Sequence, residues 1–84
     1  MTTPKNETAS ALDLIPITPN DSADLATPVR AIRCKNNGTA GNVKFVSFMG
    51  NTRTTDIATG ETIVVYATKV FATDTTAVGL EGLV

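Results

Sequence analysis

The chain has 84 residues and a formal net charge of -1, so it has room for one domain and no broad electrostatic attraction for nucleic acid or for an anionic membrane. It contains no His and one Cys, Cys34, which excludes a disulfide framework, a Cys/His zinc site and a His-based catalytic triad within one chain. We therefore expect no enzyme, no catalytic residue, no cofactor and no metal site.

Residues 1–27 predict a flexible tail followed by an extended arm. Residues 1–11 are polar, without periodicity, and their start lacks the apolar core of a signal peptide. Residues 12–28 interleave apolar side chains with prolines, which favours neither a helix nor a central strand. The apolar side chains of the arm need cover, either on its own barrel or on a neighbouring subunit. We predict that they form an assembly interface, made of Leu12, Leu14, Ile15, Ile17 and Leu25.

A turn or a single helical turn is expected within the arm, where residues 20–25 read Asn-Asp-Ser-Ala-Asp-Leu. Asn20 or Asp21 would cap this turn, because their short side chains accept hydrogen bonds from nearby backbone N–H groups. Asp21 and Asp24 are spaced for such a turn and not for a calcium loop or an acid/base pair.

Residues 28–84 predict a small antiparallel β-sandwich or barrel. Strands are expected at residues 29–34 and 43–48, and a weaker one at 54–57. Between the first two, residues 35–42 carry Asn-Gly and Gly-Asn turn signals. Turn signals recur about every 8–12 residues, as in small antiparallel sandwiches, and no stretch has a helical pattern. The predicted fold class is therefore all-β, with an extended N-terminal arm.

Two β-rich runs at the end of the chain, residues 62–73 and 77–84, flank a polar break and predict a hairpin. The first run is apolar on both faces. It therefore belongs in the middle of a sandwich or barrel, or contacts its own core on one side and a neighbouring subunit on the other. The second run is expected to be half exposed.

The reactive and charged residues favour structural roles. Cys34 has no His partner and shares a face with Ile32, which indicates a small core residue. Four basic residues cluster in the sequence, and the low aromatic content favours a solvated or interface-pairing role for them over phosphate or polysaccharide binding. They are Arg30, Arg33, Lys35 and Lys44.

The size of the β-module bears on function. A domain of about 60 residues buries only about 60% of its unfolded surface and is marginally stable alone. Disulfides and metals are excluded by composition, so oligomerisation is the remaining source of stability. A building block of an assembly, formed by exchange of the arm and pairing of strand edges, is favoured over an enzyme.

Separated blocks of the chain, at residues 17–25, 28–32, 38–43 and 69–77, resemble in order and spacing the spike base protein family of gene transfer agents and tailed bacteriophages or prophages. The resemblance extends over about residues 15–84. The chain departs from the family pattern at Asp74, where the pattern has Gly, and at Val84, where it often has an aromatic residue. It also lacks the Pro that the family usually has within residues 62–69.

The resemblance implies a β-rich structural protein of the virion, an oligomeric base that anchors a spike or fibre on the capsid surface. The implied partners are copies of itself, for instance in a pentameric ring, the major capsid protein, and a spike or fibre protein, with no nucleic acid and no membrane. Synthesis is expected in the cytoplasm of the bacterial host. The alternatives are a capsid decoration or cement protein and a β-module that binds a glycan or receptor on the host surface.

Overall fold

The computed structural model describes residues 13–84 and contains no helix in that range. The strands form two antiparallel sheets, one in the order β1-β7-β2-β5 and the other in the order β4-β3-β6. The prediction of an all-β, small antiparallel sandwich is confirmed. The strands are β1 (Leu14–Pro16), β2 (Ala31–Thr39), β3 (Gly41–Ser47), β4 (Thr52–Ile57), β5 (Thr62–Ile63), β6 (Ala67–Val70) and β7 (Val78–Leu83).

The core is formed by alternating side chains of the two sheets, as expected for strands with one buried face. Its largest fully buried members are Ile32, Ile57, Val29, Val43, Val70 and Cys34. Cys34 is a free thiol with no exposed surface, which confirms its prediction as a small core residue. Its Sγ lies 3.5 Å from the Val78 carbonyl oxygen and so contacts backbone of β7.

The predicted hairpin between residues 62–73 and 77–84 is wrong. β6 pairs with β3 in the second sheet, whereas β7 lies between β1 and β2 in the first sheet. The run 62–73 itself changes sheets, since β5 pairs with β2 before residues 64–66 lead to β6. One strand buried on both faces and two short strands in different sheets both give a run with apolar residues on both faces. The hairpin prediction was wrong because the sequence pattern does not distinguish these two structures.

The predicted turn at residues 35–42 is also wrong in its extent, because β2 continues to Thr39 and only Ala40 separates it from β3. The Asn-Gly pair lies inside β2, where the register with β7 shifts between Cys34 and Thr39. A Cβ on Gly38 would collide with the Val78 carbonyl oxygen. Gly38 is therefore explained by the close approach of β7 at a bulge.

The arm lies along both sheets from residue 13 onward. β1 forms an edge of the first sheet next to β7, and the N–H of Ile17 donates to the Leu80 carbonyl at 3.0 Å. Further along, the N–H groups of Asn20 and Leu25 donate to carbonyls of Val70 and Thr68, each at 2.9 Å. The flexible tail predicted for residues 1–11 lies outside the described residues, and the division at residues 27 and 28 stays a prediction.

The predicted turn in the arm is confirmed. Asn20 Oδ1 accepts hydrogen bonds from the N–H groups of Ser22 and Ala23 at 2.7 and 3.2 Å. Asp21 accepts three further hydrogen bonds, from the Thr73 hydroxyl at 2.6 Å and from the N–H groups of Ala72 and Thr73 at 2.9 and 3.0 Å. These bonds, the Thr73 hydroxyl first, lower the pKa of Asp21 below its ordinary value of 3.8. Asp21 thus ties the arm to the segment between β6 and β7.

Candidate assembly surfaces

The structure separates the predicted interface residues by their burial. Ile17 is 7% exposed and belongs to the core, and Ile15 and Leu25 are partly buried against that core. Leu14 is 53% exposed on β1. Leu12 lies outside the described residues. The assignment of these residues to an assembly interface stays a prediction, and Leu14 has the most exposed apolar surface among the four that are described.

The outer edge of β1 has no free backbone donor for an added strand. The backbone N–H and C=O groups of Ile15 and Ile17 face β7, opposite Gly82 and Leu80. In an antiparallel pair these directions alternate, so the backbone groups of Leu14 and Pro16 face away from the sheet. The Leu14 N–H donates to the neighbouring Asp13 carboxylate at 2.8 Å, and Pro16 has no N–H. A proline and a satisfied donor blunt a sheet edge, so β1 does not favour assembly by strand pairing.

An exposed turn at residues 47–50, between β3 and β4, carries two large apolar side chains, and we call it the apolar turn. Phe48 is 72% exposed and Met49 is 79% exposed. Gly50 has a φ of 84°, which suits a glycine, and its N–H donates to the Ser47 carbonyl at 2.9 Å. Although exposed, the turn is therefore closed by its own hydrogen bond.

Tyr66 supports the apolar turn from the segment between β5 and β6. Its ring meets the Phe48 ring edge to face, with centroids 5.2 Å apart, and its carbonyl accepts the Phe48 N–H at 3.0 Å. Such aromatic pairs stabilise by about 0.5–1.5 kcal/mol beyond the area that they bury. The Phe48 ring is thus held in place while most of its surface is exposed to solvent.

An open hollow adjoins the apolar turn through Tyr66, and we call it the Tyr66 hollow. It has a volume of about 540 Å³ and is lined by Thr27, Pro28, Arg30, Tyr66 and Val84. Arg30 Nη2 donates a hydrogen bond to the Val84 backbone oxygen at 3.2 Å. The exposed atoms of the walls are largely apolar. Together with the apolar turn, this hollow makes one end of the sandwich apolar, as is typical of protein interaction sites.

A second hollow lies beside the first half of β7, and we call it the β7 hollow. It has a volume of about 350 Å³ and is lined by residues 17–19 and 77–80. Val78, 59% exposed, lies at the start of β7, whereas Val84 follows the end of β7 in the Tyr66 hollow. Leu80 of the β7 hollow and Val84 of the Tyr66 hollow are four residues apart, about 13 Å along the strand direction.

The basic residues are divided between the two sheets and partly paired within the chain. Arg33 forms an ion pair of 2.6 Å with Glu81 across β2 and β7, and Lys44 forms one of 3.3 Å with Asp74. The Lys44 and Lys69 ammonium groups also lie 5.0 and 4.7 Å from the centre of the Phe71 ring. The cluster predicted from the sequence is therefore not assembled into one basic patch.

Residues 13–84 bring together no set of three or more His, Cys, Asp or Glu side chains that could hold a metal ion. That part of the chain also has no helix suited to span a membrane.

The sequence analysis missed the exposure of Phe48 and Tyr66, which both lie in strand-like patterns. One signal could have revealed the apolar turn. Residues 49–51, Met-Gly-Asn, end the strand pattern with a glycine and an asparagine, and an apolar residue inside a turn is exposed unless another element covers it.

Comparisons with known proteins gave one informative result. No family model matches the chain, and no curated protein matches it. The chain is similar to a chain of a solved structure described as "Capsid of native GTA particle computed with C5 symmetry", where GTA stands for gene transfer agent. The two chains are 33% identical, with a TM-score of 0.80, and the match covers 95% of this chain and 92% of the other.

Proposed function

The chain belongs to the family of the gene transfer agent capsid chain that it matches, and we propose on that basis that it is a structural protein of the virion of a tailed phage or gene transfer agent. The match carries this proposal because it covers 95% of the chain at 33% identity, and so includes both sheets and the arm. A fold shared without sequence identity would support the architecture alone.

We further propose that the protein is an oligomeric base that anchors a spike or fibre on the capsid surface. Its partners are then copies of itself, the major capsid protein and the spike or fibre protein. The resemblance of residues 17–25, 28–32, 38–43 and 69–77 to the spike base family supports this role. The exposed apolar surface supports it too, because six large apolar residues are at least 44% exposed among those described.

The apolar turn with the Tyr66 hollow, and the β7 hollow, are the proposed sites of assembly, with Leu14 as a third contact on the arm. Ile17 contributes to the fold of its own subunit, since it is 7% exposed there. Removal of residues 1–25 would therefore test folding and assembly together. Removal of residues 1–11 tests the predicted tail alone, because it keeps Leu12 and the rest of the arm.

No enzymatic activity is proposed. The thiol of Cys34, the chain's single cysteine, is buried, and the sequence contains no His that could activate a nucleophile. The similarity to a capsid chain supports the same view.

A capsid decoration or cement protein is an alternative with the same location on the virion. A second alternative, a module that binds a glycan or receptor on the host surface, is favoured by one observation. The exposed Phe48 and Tyr66 rings lie beside a hollow that includes Arg30, and aromatic faces with a nearby donor suit sugar recognition. Binding on a glycan array that disappears in Tyr66→Ala would support this alternative.

The three roles differ in what a particle loses with this protein. Particles produced without the chain and imaged by electron cryomicroscopy should have a closed capsid that lacks both this protein and the spike or fibre above it. A weakened capsid with its spikes in place would indicate a cement protein. Particles whose capsid and spikes are both unchanged, with no density lost at the capsid surface, would contradict the proposed structural role.

A further inference from the structure

We propose that two copies of this chain pair antiparallel through the outer edge of β4, so that the second sheet of one copy continues into the second sheet of the other. The inference rests on the proposed function, since it names the edge through which the base contacts a copy of itself. The contact is made by backbone hydrogen bonds and does not depend on the apolar surfaces described above.

The two sheets have four outer edges, and three of them are closed to an added strand. β1 presents a proline and a bonded N–H, and β5 is only two residues long. β6 is covered by the arm, whose N–H groups at Asn20 and Leu25 donate to the carbonyls of Val70 and Thr68. Proteins protect sheet edges in such ways, because unpaired backbone groups bind strands of other chains.

β4 is the fourth edge, and it has none of these protections. Its sequence, Thr-Arg-Thr-Thr-Asp-Ile, contains no proline that would remove a backbone donor and no glycine that would weaken the strand. Thr52, Arg53, Thr54 and Asp56 are exposed. Within the described part of the chain, β4 pairs with β3 alone, so its other side is open to a further strand.

The direction of each backbone group in β4 follows from its register with β3. The Ser47 N–H donates to the Asn51 carbonyl at 2.9 Å, and the same register continues through β4. Because these directions alternate along an antiparallel pair, the odd-numbered residues of β4 face β3, whereas Thr52, Thr54 and Asp56 face away. No other segment of residues 13–84 bonds to the backbone groups that face away.

The occupant of this edge is β4 of a second copy, because two sheets can join only where both have an open edge. β1, β5 and β6 offer none, so two copies that join sheet to sheet must both use β4. Such a contact is isologous, with the same surface on both subunits, and it closes as a two-fold dimer.

Backbone direction selects the register of the pair. Opposite residues of an antiparallel pair must both face each other or both face away. A pair centred on Thr54 meets this condition with all three outward-facing residues, since Thr54 lies opposite Thr54 of the second copy and Thr52 lies opposite its Asp56. Each of these three facing positions exchanges two hydrogen bonds, about six in all.

The charges of β4 favour the same register. In the pair centred on Thr54, Arg53 lies opposite Thr55 and Asp56 lies opposite Thr52, so no like charges meet. A pair centred on Arg53 would place two guanidinium groups opposite each other, and a parallel pair in register would also align Asp56 with Asp56. Like charges directly opposite each other destabilise a sheet, which disfavours both alternatives.

Engineered cysteines test this register in the full chain. Opposite Cα atoms in such a pair lie about 5.5 Å apart, within the range of a disulfide, and the native Cys34 is buried. Thr54→Cys should therefore form covalent dimers under mild oxidation. Thr52→Cys is the matched control, because its two copies would lie about 13 Å apart along the strands and should stay uncrosslinked. A mixture of Thr52→Cys with Asp56→Cys should form dimers.

A proline variant tests the hydrogen bonds without a crosslink. Thr54→Pro removes an N–H that faces away from β3, so the ladder between β3 and β4 is kept, as prolines on edge strands allow. Because Thr54 faces itself, the variant removes two bonds from the dimer and should raise the dissociation constant about 10-fold or more. Sedimentation velocity measures this change against Thr54→Ala, which keeps the N–H. Equal denaturant midpoints of the two variants would show that both are folded.

Three outcomes would overturn the inference while the proposed function stands. These are a wild-type oligomer with no disulfide through Thr54→Cys, equal crosslinking of Thr52→Cys alone, and equal dissociation constants for folded Thr54→Pro and Thr54→Ala. In assembled particles, a disulfide from Thr54→Cys to a capsid or spike protein in place of a second copy would also overturn it. A wild-type chain that remains monomeric at every concentration would instead contradict the oligomeric base itself, and the β4 contact with it.

Discussion

Ile17 and the apolar turn are both apolar, yet one contributes to folding and the other is available for assembly. Ile17 lies on the arm, where the sequence predicted an interface, and is 7% exposed in its own core. Met49 lies in a turn and is 79% exposed. The comparison teaches that a residue's apolar character does not decide whether its side chain is buried in the core of its own chain. The element that carries it decides, and the two regions should respond differently to mutation.

The largest effect is expected at Ile17. Truncation of a buried Ile to Ala removes packing and leaves a cavity, which costs about 2–5 kcal/mol in the free energy of unfolding. Ile17→Ala should therefore lower the midpoint of denaturant unfolding strongly. Leu14→Ala, at an exposed position on the same arm, is the control and should change the free energy of unfolding by less than about 0.5 kcal/mol. Equal losses of stability in the two variants would contradict the distinction between a buried Ile17 and an exposed Leu14.

The apolar turn should show the reverse behaviour. If Phe48 and Met49 anchor the contact between copies of the chain, their replacement by Ser should weaken self-association by about 2 kcal/mol or more. This corresponds to an increase of about 30-fold in the dissociation constant. The stability of the single chain should change little, apart from loss of the Phe48 and Tyr66 ring contact. Sedimentation velocity across a concentration series measures the shift, and an unchanged series would exclude the turn from the interface.

A smaller effect is expected at Asp74, which has a φ of 69° where the spike base pattern has Gly. A left-handed conformation costs an ordinary residue about 1–2 kcal/mol, although Asp tolerates it better than most. Asp74→Gly should therefore raise the free energy of unfolding by about 0.5–1 kcal/mol, even though it removes the exposed ion pair with Lys44. Asp74→Asn, which loses the charge alone, should give no such gain. A destabilised Gly variant would mean that the ion pair outweighs the backbone.

The smallest effect is expected for the bond between arm and body at Asp21. The pKa of Asp21 is lowered in the folded chain, first by the Thr73 hydroxyl, so its contribution to stability is complete above its ordinary value of 3.8 and is lost as the pH falls below that value. Thermal unfolding between pH 6 and pH 2 should therefore be less pH-dependent in Asp21→Asn than in the wild-type chain. Parallel pH profiles would show that the carboxylate is not a stabilising link.

The fold class could be predicted from the sequence because period-two patterns and turn residues are local signals. The hairpin could not, because residues 62–73 present apolar side chains on both faces whether they form one buried strand or two short strands in different sheets. At Gly38 the sequence signal was read as a turn, but the contact that requires a glycine comes from Val78, 40 residues later in the chain. Such long-range approaches leave no local pattern.

The assembly interface predicted on the arm stays a prediction, and the structure adds exposed apolar residues that the sequence analysis did not single out. The small module and the apolar arm indicated oligomerisation, and of the predicted arm residues the structure leaves Leu14 exposed and Ile17 buried in the core. The exposure of Phe48 and Tyr66 depends on where the chain crosses between the sheets, which the pattern of residues 62–73 does not reveal. The position of the apolar surfaces therefore had to come from the structure.

Sedimentation velocity of the wild-type chain, from low to high micromolar concentration, tests the central claim that its exposed apolar surfaces exist for self-assembly. The account predicts a concentration-dependent species several times heavier than the 8.8 kDa chain, which dissociates when Phe48 and Met49 are both replaced by Ser. A single 8.8 kDa species at every concentration, with or without those substitutions, would contradict it.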